Sequence, residues 1–216
     1  MTDKKIEWEH ILLIMSCYKY ENRANKQRRT WLTTLPSHMK YYHVIGDKEK
    51  VSENNCKDGW IDNDKKILYV ATEDDYNSLP HKVIMAYKMI NELFNYKYIY
   101  KTDDDQTLIQ QPFFSSITRI VEMKGCHYGG FPVKVRDHIS SYYTVHDCLP
   151  RDLFLKKCTY CNGRFYFLSK EAVENLLLKE NIISKQFIED HAIGVNLDEK
   201  YKENMLTFDT KKIFMD

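Results

Sequence analysis

Lys97-Tyr98-Ile99-Tyr100-Lys101-Thr102-Asp103-Asp104-Asp105-Gln106-Thr107-Leu108-Ile109 is the stretch that decides how this chain folds. An apolar and aromatic run of strand type stops at three consecutive carboxylates, and a second short apolar run, Thr107 to Ile109, follows at once. The pattern is that of a strand ending in an acidic turn. Three adjacent acids repel one another and are costly to bury, so they belong at a mouth or edge where a cation can neutralise them. In extended backbone Asp103 and Asp105 point to the same side, and carboxylate oxygens suit magnesium, manganese or calcium. Two protein carboxylates leave positions open for water and for substrate phosphates. A solvated acidic turn without a ligand is the plain alternative, and the buried strand in front of the acids weighs against it.

Toward the amino end, Ile11-Leu12-Leu13-Ile14-Met15 is a continuous apolar run, which predicts a central strand buried on both faces and the first strand of a parallel sheet. Glu21 to Leu35 fits one helix, with Ala24, Trp31, Leu32 and Leu35 as its apolar stripe and Arg23, Lys26, Arg28 and Arg29 as cations that either face a phosphate or are simply solvated. Tyr41 to Asp47 predicts a second strand closing in a turn, residues 48–64 a polar loop, and Ile67 to Ala71 a third strand. Val83, Ala86, Tyr87, Ile90, Leu93 and Phe94 recur at helical spacing and lead into the acid-tipped strand. Strand, helix, strand, strand, helix, strand is the order of an α/β sheet, whose ligands collect at the carboxyl ends of the strands. Neither GxGxxG nor GxxxxGK[ST] occurs, so a metal has to hold any phosphate.

Toward the carboxyl end, Tyr128 to Pro132 reads as strand and turn, followed by a Tyr- and His-rich binding loop. Within it Tyr142 to Asp147 either stacks a sugar ring or is merely packed. Asn162-Gly163-Arg164 reads as a tight turn feeding a strand, and Ser169 as the cap of a helix over Lys170 to Leu178. Glu189 and Asp190 fall at the start of another helix, where a carboxylate is stabilised as an anion and serves as a cap or a base.

The totals set the bounds. With 216 residues and 43% hydrophobic content, one compact domain is expected. Lys plus Arg is 32 against 31 for Asp plus Glu, which excludes the global basic field of a nucleic-acid binder. No stretch is apolar for long enough to span a membrane, and Ile11 to Met15 is too short for a secretory signal. A soluble, cytoplasmic protein is expected, with a lumenal or viral source compatible if the chain is a fragment. Six scattered cysteines are then reduced by default, and a lone Cys158-x-x-Cys161 is weak evidence for zinc.

Six segments in register resemble glycosyltransferase family 31, the β-1,3-galactosyltransferase and fringe type. Arg28-Arg29-Thr30-Trp31 is similar to the family's Arg-x-Thr-Trp element, and Tyr42 to Gly46 to its Gly-ended strand. Asp75-Tyr76-Asn77-Ser78-Leu79-Pro80-His81-Lys82 resembles its acidic-Tyr-Asn-Leu-x-x-Lys element, and Lys101-Thr102-Asp103-Asp104-Asp105 its Lys-x-Asp-Asp-Asp signature. Tyr160-Cys161-Asn162-Gly163 to Ser169 and Glu189-Asp190-His191-Ala192-Ile193-Gly194 complete the set. The resemblance implies a GT-A fold: a Rossmann-like, mixed and mostly parallel sheet flanked by helices, with residues 1 to about 110 as the nucleotide-sugar half and about 111 to 216 as the acceptor half. It implies an inverting mechanism with manganese or magnesium, a UDP-sugar donor and a glycan or glycoprotein acceptor. By position, Asp105 would bind the metal, Asp103 and Asp104 would contact ribose or metal-bound water, with Asp103 a second metal ligand, and Asp190 would be the general base. The donor-binding candidates are Asp103, Asp104, Lys82, Arg28 and Ser16. The family's membrane anchor and stem are absent from the sequence, and so is the His that follows the Glu-Asp motif in the family. His191 lies inside that motif, so the third protein ligand of the metal stays open, with Asp209 no more than a guess for it. Two other classes share strand-end aspartates: metal-dependent phosphoryl-transfer or hydrolytic enzymes, and noncatalytic carbohydrate-binding modules.

Overall fold

His10–Met15 (β1) is buried at all six positions. Alternation sends Ile11, Leu13 and Met15 into one apolar cluster and Leu12 and Ile14 into another. A strand that feeds two cores has to lie in mid-sheet. It does so in a computed structural model that describes residues 5–216, so residues 1–4, the beginning of the charged amino-terminal stretch, lie outside the described residues.

After β1 the chain forms Glu21–Arg29 (α1), Met39–Gly46 (β2), Lys48–Glu53 (α2), Gly59–Asp62 (β3), Ile67–Val70 (β4), Leu79–Leu93 (α3) and Tyr98–Asp103 (β5). Phe113–Lys124 (α4), Tyr128–Val135 (β6), Cys158–Ser169 (β7), Lys170–Leu177 (α5), Glu180–Ile183 (α6), Glu189–Asn196 (α7) and Leu206–Thr207 (β8) follow. The eight strands make one sheet in the order β8-β6-β7-β5-β1-β2-β4-β3. β1 runs parallel to β2 and β5, β2 to β4, and β6 to β8. β7 is antiparallel to β5 and β6, and β3 to β4. The sheet is therefore mixed and mostly parallel. Residues of α3, α5, α6 and α7 cover one face with Ile11 and Leu13, while α4 and Trp31 cover the other with Leu12 and Ile14. Among the described residues no helix is long and apolar enough to cross a membrane.

Three local expectations are corrected, and one segment without an expectation is filled. The helix expected over Glu21 to Leu35 stops at Arg29: the Thr30 hydroxyl bonds the Lys26 carbonyl at 2.7 Å, the backbone breaks at φ −118°, ψ −111°, and Trp31–Thr34 forms a 3-10 turn. That turn drives Trp31 into the core, where its Nε1 donates to the Gln106 carbonyl at 3.2 Å. Residues 48–64 are not a loop, because Asp47 caps α2 by accepting the Lys50 amide at 2.7 Å and β3 adds an edge strand. Segment 110–124, unassigned from sequence, holds α4, which buries Phe113, Phe114, Ile117 and Val121 and closes at Gly125 in the left-handed region at φ +60°. Asn162-Gly163-Arg164 is not a turn: β7 runs straight through it, and the register to β6 jumps between Cys161 and Tyr166 as a bulge.

Ser169 caps α5 as expected, accepting the Ala172 amide at 3.2 Å. The six cysteines are unpaired. The chain's last strand, Phe214–Met215, pairs antiparallel with Thr107–Leu108, and Arg164 Nη2 meets the Asp216 carboxylate at 2.8 Å.

Candidate active site

Register places the acids. Asp103 lies opposite Met15, the Asp104 amide donates to the Met15 carbonyl at 3.0 Å, and the Ser16 amide donates to the Val44 carbonyl at 3.0 Å. β1, β2 and β5 thus end together at the carboxyl edge of the sheet, the edge where α/β folds hold ligands. A cleft of about 530 Å³ opens there, lined among others by Ser16, Arg23, Asp74, Tyr76, Lys82, Asp103, Asp104, Asp105 and His146.

Strand geometry ends at Asp103 and the chain turns at Asp104 and Asp105, so a turn, not strand alternation, brings Asp103 and Asp105 to the same cleft. Asp104 is buried and accepts from Ser16 Oγ at 2.8 Å, with Arg23 Nη1 at 3.6 Å. Asp103 meets Lys101 Nζ at 2.8 Å. Burial pushes both carboxyls up to about 6 against the pull of these partners. Asp105 is exposed, and its Oδ1 accepts from Gln106 Nε2 at 2.7 Å. The same Nε2 donates to Asp216 at 2.9 Å, which brings a fourth carboxylate beside the acidic turn. Lys82 is buried, donates to the Ser16 carbonyl at 3.0 Å and pairs with Asp74. Arg28 is not in the cleft: its Nη1 binds Asn25 at 3.0 Å and its charge faces buried His43, while Arg23 of the same helix lines the cleft and, with Lys26, a second groove on the other side of Asp104 and Asp105.

Lys101 joins the acidic turn to Asp190. Its ammonium, 1% exposed, meets Asp103 at 2.8 Å, Glu189 at 3.1 Å and the Gly163 carbonyl at 2.8 Å. Burial alone would depress a lysine, and the Asp103 and Glu189 charges instead hold it above its ordinary value. The bulge in β7 presents the Gly163 amide to Asp190 Oδ2 at 2.8 Å, and the His191 amide, in the first turn of α7, gives Oδ1 a second bond at 2.8 Å. The N-cap position of α7 is Ile188, so Asp190 accepts a first-turn amide without occupying the cap. Burial raises its carboxyl despite these two amides.

Gly194 sets the depth at which α7 docks on β7, since a Cβ there would lie 2.1 Å from Tyr160 Cβ and 2.8 Å from its Cα. Gly194→Ala therefore pushes α7 outward and destabilises the fold by about 1–3 kcal/mol, measured by urea denaturation. A variant as stable as the parent would show that α7 has slack.

Neither Asp209, offered for the third ligand position, nor His191 lines the cleft. His191 Nε2 bonds the Lys156 carbonyl at 2.9 Å, and Asp209 caps the turn Thr210–Lys212 by accepting the Lys211 amide at 3.1 Å. Lys101, Gln106 and Asp216 carry site contacts to which the motifs assign no role. For Lys101 a signal existed: a lysine inside a buried strand needs carboxylate partners.

A model of the galactosyltransferase family matches residues 22–202. The probable β-1,3-galactosyltransferase 13 of Arabidopsis thaliana is 24% identical over 200 residues, covering 84% of this chain and 55% of its own length. The chain thus spans about half the length of that curated relative. Among solved structures, the mannosyltransferase Ktr4p of S. cerevisiae superposes with a TM-score of 0.51 at 9% identity, covering 97% of this chain and 70% of its own. Core-mannan synthase A of Aspergillus fumigatus, solved in a Mn/GDP form, gives 0.50 at 11% identity, covering 96% and 74%. At such identities the likeness is one of fold. A match over most of its length makes this chain a member of the galactosyltransferase family, built on the GT-A glycosyltransferase fold.

Proposed function

We propose that this chain is an inverting, metal-dependent glycosyltransferase that moves a sugar from a UDP-sugar to a hydroxyl of a glycan or glycoprotein. Residues 1 to about 110 form the nucleotide-sugar half and about 111 to 216 the acceptor half. The observation that carries the proposal is the convergence on one cleft edge of Ser16, Lys82 and Asp103 to Asp105, with Asp190 bonded to the same Gly163 that Lys101 holds.

The residues fit a hard divalent ion. Asp103 and Asp105 offer oxygen donors only, and Asp105 is exposed on the cleft with no cationic partner among the described ion pairs. Such an ion, manganese or magnesium, supplies when bound the charge that a departing diphosphate needs. Ser16 and Arg23 hold Asp104 in place, and Lys82 braces the end of β1 through the Ser16 carbonyl. Asp190 takes the proton of the incoming hydroxyl, and attack from the face opposite the leaving diphosphate inverts the anomeric centre.

A thermal-shift panel of UDP-sugars with and without manganese tests the donor side. UDP with manganese at 100 times its dissociation constant stabilises the protein by about 2.7 kcal/mol, which for a chain of this size is roughly 5–10 °C. Chelator, or Asp105→Ala, removes the shift. The shift also fades as pH falls through about 6, where Asp103 and Asp104 take up protons and stop accepting a cation. A UDP shift of equal size in chelator would sink the metal assignment.

A further inference from the structure

The segment between β6 and β7 is pinned at three points, the first of them in the cleft wall. His146 stacks on Tyr76 with ring centroids 4.1 Å apart and planes 15° apart. Asn77 Nδ2 donates to the Cys148 carbonyl at 3.1 Å, and His191, next to Asp190, bonds the Lys156 carbonyl at 2.9 Å. Tyr142 extends the stack, its ring 6.5 Å from that of His146 and 3° from parallel. Inward, Ser140 and Leu149 anchor the segment in the core, and outward it leaves Tyr142 48%, Val145 72%, Ile139 63% and Phe154 54% exposed. Of these, Ile139 and Phe154 face each other across a short strand pair.

We propose that the ring column Tyr76–His146–Tyr142 is the acceptor platform, on which the C–H face of a pyranose stacks so that one of its hydroxyls reaches Asp190. The proposal rests on the glycosyltransfer reading and deepens it by assigning the rings that hold the acceptor. Three observations favour this occupant. The column begins at Tyr76 and His146 in the wall of the donor cleft, so it lies where the transferred sugar must emerge. Its surroundings include Asp190, whose charge, after burial, helps raise the phenols of both Tyr76, to about 12, and Tyr160. Near-parallel rings with phenol and imidazole edges combine flat apolar area with hydrogen-bonding rims, the pairing a sugar presents in return. A polypeptide hydroxyl on a short flexible side chain offers no such flat face.

Tyr142 is the informative position, because it stands at the exposed end of the column and outside the donor cleft. Saturation-transfer NMR with p-nitrophenyl galactoside, p-nitrophenyl N-acetylgalactosaminide, p-nitrophenyl xyloside and a Ser/Thr peptide reads acceptor contact without turnover. Sugar-ring saturation is expected in the parent and in Tyr142→Phe, and is expected to fall roughly 3- to 10-fold in Tyr142→Ala, with a rise in acceptor KM of the same size and the UDP–manganese thermal shift unchanged. Equal sugar saturation in the parent and Tyr142→Ala, or saturation of the peptide alone, overturns the platform. Sugar contact that depends on Tyr142 in a protein showing no UDP shift would keep the platform and overturn glycosyl transfer, so the two failures are distinct.

Discussion

Asp190→Asn lowers sugar transfer by about 100- to 10,000-fold while leaving UDP affinity and the fold in place. The side chain sits between two backbone amides, Gly163 and His191, each at 2.8 Å. An amide oxygen still accepts from one of them, and burial already favours an uncharged group at this position. Stability is therefore expected within about 1 kcal/mol of the parent. What disappears is the ability to take a proton. The same chemistry sets the pH profile: Asp190 must be ionised to act as a base, and its carboxyl is raised, so the parent loses rate as pH falls through a value above the ordinary carboxylate range. In Asp190→Asn the part of the acid limb that Asp190 contributes disappears, and only the fall set by Asp103 and Asp104 remains. Near-parental turnover with the donor site intact would remove Asp190 from the reaction.

Lys101→Met destabilises the protein by about 3–5 kcal/mol, or on the order of 10 °C in Tm. The ammonium is the cation for Glu189, which is 4% exposed and otherwise held by the Tyr166 hydroxyl, and for Asp103. Its removal leaves a buried carboxylate without a counter-charge. Glu189 then favours its protonated form more strongly in the folded than in the unfolded chain, so the defect deepens as pH rises through the carboxylate range and shrinks on acidification. Lys101→Met with Glu189→Gln recovers part of the loss, because the stranded charge goes with the lysine's partner. Urea denaturation at two pH values measures all three variants. A single-variant loss below about 1 kcal/mol would mean that water replaces the ammonium.

The parts legible in the sequence share a cause: each is encoded within a few residues. The run Ile11 to Met15, the period of Val83 to Phe94 and the apolar strand that halts at Asp103 are local patterns, and β1, α3 and β5 follow them. The segments that escaped have weak or misleading local signals. α2 buries only Val51, and its one clear mark is Asp47. Thr30 ends α1 through a hydroxyl bond that no periodicity reveals. Asn162-Gly163 has the composition of a hairpin turn, yet β6 pairs with the strand on both sides of it and the glycine falls in the bulge between. α4 was readable from Phe113, Ile117, Val121 and Gly125. In the site, the acidic turn and Asp190 came from short motifs. The ion pair that links them joins residues 88 apart, Lys101 and Glu189, and only folding brings such a pair together.

The pairing of Phe214–Met215 with Thr107–Leu108, tied by Arg164 to Asp216, works as a clasp on the loop that carries the acids. Anything that continues beyond residue 216, natural or fused, leaves the molecule beside Asp105 and has to thread past the mouth where nucleotide is proposed to enter. A purification handle thus interferes least at the opposite terminus, and shaving off the final three residues would unlatch the rim without altering a single member of the acidic trio.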